Sequence, residues 1–194
     1  MSPMAMTPNT AARSRGLAPH GRTARIIDTT AVAATSAFAG GALVSQTVIV
    51  PAWRAMDPAA FLRVFATSGP VTGATVFPFE LASVLLLAIT AYAAVIHRRP
   101  GRLLWALAVL GMVGTLLMLV YFVPTNLALL DPGFPPRAVP AALTTWYRWN
   151  GARTGLGVAS AVVACVGLVV SRGGEDATAR VRGRGGQRGT PRRR

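Results

Sequence analysis

Four uninterrupted apolar runs divide the chain, at 31–50, 79–96, 103–123 and 154–170. Each is 17 to 21 residues long, and the only acid or base inside any of them is Glu80, at one end of the second. A hydrocarbon core of ~30 Å needs about 20 helical residues at 1.5 Å each, so each run is close to one crossing. The expected fold is therefore all-α, a bundle of four transmembrane helices spanning 31–170. The 52% hydrophobic content of the 194 residues agrees with a single membrane domain.

Charge sets the expected orientation. The net charge of +14 comes from arginine, with no lysine, and fifteen of the 20 arginines fall in the two tails and in the link between the second and third runs. Five occupy the other two links. The excess of basic residues on cytoplasmic loops places both termini in the cytoplasm, in a multi-pass protein of the cell membrane. Segment 1–30 lacks apolar periodicity and is rich in Pro, Ser, Thr, Gly and Arg, and segment 171–194 is Arg/Gly-rich, so both read as disordered basic tails. Beside a membrane helix, such arginines serve retention and attraction to anionic lipid, and a nucleic-acid partner is not expected.

The single cysteine, Cys165, and the two histidines, His20 and His97, offer no disulfide, no CxxC, no haem-ligand pair and no zinc or iron cluster. No metal and no cofactor is expected.

Thr35, Ala39, Ala42 and Gln46 give the first helix a small, polar face, on which Gln46 either bonds a neighbouring helix or lines a ligand cavity. Asp57-Pro58 reads as an N-cap with a first-turn proline, opening a short helix that carries Phe61, Leu62 and Phe65. Gly69-Pro70 and Gly73 then read as a loop, with Pro78-Phe79-Glu80 starting the second helix. An acid there is either a first-turn residue favoured by the helix dipole or a functional group. Trp105 and Tyr121 stand near the ends of the third run, as interfacial aromatics do. Ahead of the fourth run, Trp146, Trp149, Asn150 and Arg153 recur at i, i+3, i+4 and i+7 and share a helix face. This face either anchors the helix at the interface or builds a polar site there. Gly157, Ala161 and Cys165 continue it as a small-residue seam. Arg153 and Glu80, each at the start of its run, are expected to pair across the outer end of the bundle.

Pro124-Thr125-Asn126-Leu127, the string Trp146-x-x-Trp149-Asn150-x-x-Arg153-Thr154, and Pro51 after the first run together resemble the anthrone oxygenase-like family of small four-helix membrane proteins. The resemblance covers about 31–170. Some fungal relatives oxidise an anthrone to an anthraquinone with molecular oxygen and without a dedicated metal or flavin. It implies an apolar pocket with a base and a positive group, for which Glu80, Asn150 and Arg153 are the catalytic candidates. Gln46, Trp53, Asn126, Trp146 and Trp149 are the ligand-binding candidates. Two readings stand: a cofactor-independent oxygenase of anthrone-like polycyclic aromatics, or a non-enzymatic membrane protein that binds a lipophilic aromatic molecule or a partner.

The arginine partition makes a topology prediction. Reporter fusions after Arg172 and at Pro100 report the cytoplasm, and one at Gly133 reports the other side; a cytoplasmic signal at Gly133 sinks the orientation.

Overall fold

The structure, a computed structural model, describes residues 19–187, with side chains described over 21–174. It contains six α-helices: α1 Pro19–Val44, α2 Val50–Arg54, α3 Pro58–Ile96, α4 Arg102–Leu117, α5 Leu119–Leu130 and α6 Val139–Gln187. A π-helical turn, Ser45–Ile49, joins α1 to α2, and a 3-10 turn, Pro136–Ala138, leads into α6. These elements make four rods long and apolar enough to cross a membrane: Gly21–Arg54, Pro58–Ile96, Arg102–Leu130 and Pro136–Gly174. The chain is an all-α, multi-pass membrane protein.

Neighbours round the bundle run α1, α3, α4, α6 and back to α1, so α3 and α6 face each other across a diagonal. Sequential rods are antiparallel. Apolar side chains also cover the outside, where Val120 is 80% exposed, while Glu80 in the interior is 0% exposed. That inversion suits a rod surrounded by lipid, in which polar groups find partners only inside the bundle.

Several expected boundaries move. The short helix, the Gly69–Gly73 loop and the helix start at Pro78 are replaced by one 39-residue helix, α3, with Pro70 and Pro78 inside it. Asp57 caps it as expected, its Oδ1 accepting from the amides of Ala59 and Ala60 at 3.0 and 3.1 Å. Membrane helices tolerate internal proline because neighbours and local adjustment re-satisfy the freed carbonyl. Pro124 to Asn126 likewise fall inside α5 instead of ending the span. The third rod breaks at Met118, where the Met118 amide bonds back three residues to Thr115 and the Thr115 hydroxyl donates to the Met112 carbonyl.

Two helices reach into the segments flanking the bundle. Residues 19–30 belong to α1 and residues 171–187 to α6; the remainder of both expected disordered segments, 1–18 and 188–194, lies outside the described residues. Both extensions are tied down. Arg99 Nη2 donates to Asp28 Oδ2 at 2.5 Å, the Ser171 hydroxyl donates to the Pro100 carbonyl at 2.9 Å, and Trp105 Nε1 donates to Ser171 Oγ at 3.1 Å. Trp105 is thus a buried core residue and not an interfacial anchor.

Two apolar clusters fill the bundle, one towards each end. Phe38, Leu87, Trp105 and Met112 centre the first; Trp53, Phe61, Phe65, Phe122 and Trp146 centre the second. Small residues let the rods close. Thr35, Ala39 and Ala42 bury the expected face of α1, and the Ala42 carbonyl accepts from the Thr154 hydroxyl at 3.2 Å. On α6 the seam is Gly157, Ala161 and Ala164, whereas Cys165 is exposed. A Cβ on Gly157 would stand 2.7 Å from the Phe38 ring, which is fully buried. Gly157→Ala is therefore expected to cost about 1–3 kcal/mol by overpacking, read as a lower melting temperature in detergent. Gly155→Ala, where nothing lies within 4 Å, leaves the melting temperature unchanged or raises it.

Candidate functional site

Between the two apolar clusters lies a polar layer built on Glu80 of α3 and Arg153 of α6. Arg153 Nη2 donates to Glu80 Oε2 at 2.5 Å and Nε to Oε1 at 3.3 Å, a two-pronged pair across the bundle diagonal. The expected pairing is present, but its setting differs. Glu80 is not a first-turn acid: it lies seventeen residues from Arg63 and eighteen from Arg98, with no other charge between them. On α1 the same level is marked by Ala42, fourteen residues from Asp28 and twelve from Arg54. On α3 and α1 the pair therefore sits about halfway along the uncharged stretch, whereas on α6 Arg148 lies five residues before Arg153 and Arg172 nineteen after it; an unpaired ion inside such a stretch is costly.

The guanidinium also lies against two aromatic rings. Arg153 Cζ lies 4.9 Å from the Phe38 ring centroid and 5.6 Å from that of Phe122, cation–π distances on two elements. Asn150, one turn before Arg153, donates from Nδ2 to Gln46 Oε1 at 2.8 Å. The π turn places this contact: the Val50 amide reaches back five residues to Ser45 O, directly ahead of Pro51. The inserted residue slips the register of α1, so that Ser45 and Val50 are buried while Gln46 is turned to α6. Gly151 leaves room for it, its absent Cβ falling 3.2 Å from Gln46 Nε2.

Against this layer opens a cavity of about 110 Å³. Of the expected site residues, Trp53, Asn126, Trp146, Asn150 and Arg153 line it; Ser45, Phe65, Phe77 and Phe122 complete much of the wall. Trp146 Nε1 donates to Asn126 Oδ1 at 3.0 Å, and the Trp53 and Trp146 rings meet edge-on with centroids 6.0 Å apart. The other three expected residues are elsewhere. Glu80 is behind Arg153 and does not line the cavity, and Gln46 stands behind Asn150. Trp149 stacks on Tyr121 with centroids 5.2 Å apart and is 42% exposed. Helical rotation of 100° per residue explains this: relative to Trp146, Trp149 is turned by about 60° to the side of the helix opposite Asn150. Among the described residues no three His, Cys, Asp or Glu side chains gather.

The cation–π partners Phe38 and Phe122 carried no sequence signal, since neither is near Arg153 in the chain and each is an ordinary residue of an apolar run. The Asp28–Arg99 pair was also missed, because both residues flank apolar runs without any spacing that links them.

Removing one member of a buried pair strands the other charge, at about 3–5 kcal/mol. Arg153→Leu is accordingly expected to lower the melting temperature in detergent sharply, and adding Glu80→Gln to recover much of the loss. Additive effects of the two substitutions would show that the charges do not stabilise each other.

No protein-family model, curated protein or solved structure matches the chain.

Proposed function

We propose that this membrane protein binds a small ring compound carrying a carbonyl, phenol or phenolate oxygen, in the cavity between α1, α3, α5 and α6. The observation that carries this reading is Arg153. Its Nε and Nη2 are engaged by Glu80, its Cζ lies within cation–π distance of two rings, and the residue still lines a cavity to which Trp53, Phe65, Phe77, Phe122 and Trp146 contribute aromatic walls. A guanidinium fixed in advance costs little reorganisation when an oxygen arrives, and in a dry site its hydrogen bonds are strong. Asn150 and Asn126, each anchored by one hydrogen bond, hold further amide groups beside it. The indoles of Trp53 and Trp146 supply apolar walls.

The cavity volume favours a modest ligand. An apolar cavity of about 150 Å³ accepts benzene, so 110 Å³ is of single-ring scale. A fused tricycle requires movement of the α3 wall, where Gly69 and Gly73 line the cavity.

The second reading is the cofactor-independent oxygenase that the resemblance implies. There, the anthrone methylene becomes a carbonyl with one O₂ consumed and one water released, and the reactive species is the substrate anion. Arg153 beside flat walls favours such an anion. Glu80, however, is engaged by Arg153, so on this reading it must exchange Arg153 for the substrate's proton. Both readings place the protein in the cell membrane with its termini in the cytoplasm, the orientation that the arginine partition favours.

Titration of tryptophan fluorescence separates oxygen recognition from plain apolar partition. 4-Ethylphenol is expected to bind roughly tenfold more tightly than ethylbenzene, as one charged hydrogen bond warrants. Arg153→Lys, which replaces a planar fork by a point charge, abolishes that preference while keeping most of the melting temperature. Equal binding of the two compounds sinks the proposal. Anthrone incubated in air with the protein tests the second reading, through quinone absorbance above the autoxidation blank.

A further inference from the structure

We infer that the seam between α1 and α3, at the end of the bundle away from the Trp53–Trp146 cavity, is a binding site for an anionic glycerophospholipid. The two helices leave a groove of about 340 Å³ there, walled mostly by Ala24, Ile27, Ile89 and Ala93, with Thr90 and the Asp28–Arg99 pair also lining it. Its lining is apolar and it lies in a membrane-crossing bundle, which fits an acyl chain rather than a water-soluble molecule.

The charge at this end fits an anionic headgroup. Arg22, Arg98, Arg102 and Arg172 are exposed on the segments that meet here. Asp28 is the only acid of this end whose side chain is described, and Arg99 engages both of its carboxylate oxygens, at 2.5 and 3.5 Å. Six arginines, Arg22, Arg25, Arg98, Arg99, Arg102 and Arg172, stand here against Asp28, Glu175 and Asp176, so the surplus is positive, and a basic pocket between membrane helices is a recognised seat for anionic lipid headgroups.

Thr90 adds an independent observation. Helical threonines elsewhere in the bundle, Thr35, Thr47, Thr72 and Thr75 among them, donate to the carbonyl four residues back. Thr90 does not: its residue is 1% exposed and its Oγ1 has no hydrogen-bond partner. A buried hydroxyl without a partner is costly. A lipid in the groove supplies ester oxygens that such a hydroxyl can meet, with the phosphate among the arginines and one acyl chain along Ile89 and Ala93.

The test uses the full chain purified in detergent. With phosphatidylglycerol, native mass spectrometry is expected to retain one bound lipid per chain and the melting temperature to rise; phosphatidylcholine of the same chains does neither. The double substitution Arg22→Gln, Arg98→Gln weakens phosphatidylglycerol roughly ten- to thirtyfold. Ile89→Trp fills the groove at an exposed position and abolishes retention without lowering the lipid-free melting temperature, while Val120→Trp, outside the groove, has no effect. Should Ile89→Trp impair folding, Ala93→Leu is read in its place. Equal retention of phosphatidylcholine, retention by the groove-filled variant, or an equal melting shift from inorganic phosphate overturns the assignment.

Discussion

An arginine and a glutamate that meet halfway along four apolar rods dictate much of the surrounding structure. Either charge alone at that depth is costly, and the pair is tolerated because each answers the other and neighbouring rings shield it from lipid. Phe38 and Phe122 cover the guanidinium, Gly157 lets Phe38 approach α6, and the Gln46–Asn150 bond continues the polar layer towards α1. The apolar clusters then lie on either side of this layer instead of forming one continuous core. A cavity beside the layer follows naturally, because polar side chains with fixed partners pack less adaptably than aliphatic ones.

Each acid with a described side chain has a specific task. Asp28 holds Arg99, Asp57 caps α3, Glu80 holds Arg153, and Asp131 Oδ1 accepts from the Gly133 amide at 2.8 Å to shape the turn after α5. Carboxylates are scarce in this chain, and those seen are spent on geometry. That is why the cavity is lined by a fixed cation but by no carboxylate.

The number of spans was legible because run length against membrane thickness is a strong constraint. So were the Asp57 cap, the buried face of Thr35, Ala39 and Ala42, and the Glu80–Arg153 pair, all of which rest on local spacing or on the cost of charge in lipid. Boundaries were less legible. Gly69, Pro70, Gly73 and Pro78 would end a helix in water, but inside a membrane bundle the alternative to a helix is worse, so α3 runs through them. Trp149 fell off the site because an i+3 step from Trp146 turns the opposite way from the i+4 step to Asn150. The register slip at Ser45–Ile49 left no mark in composition and became visible only in the backbone.

The diagonal pair also bears on how the chain is made. Glu80 and Arg153 are 73 residues apart, so at synthesis rates of roughly 5–20 residues per second the glutamate precedes its partner by about 4–15 s. During that interval α3 resides in or near the insertion machinery with its carboxyl group unmatched, and the rods already made cannot close around it. The fourth span brings the counter-charge, the glycine opposite Phe38 and the Trp146, Asn150 and Arg153 side of the cavity together, so the bundle interior closes only once this span has been inserted.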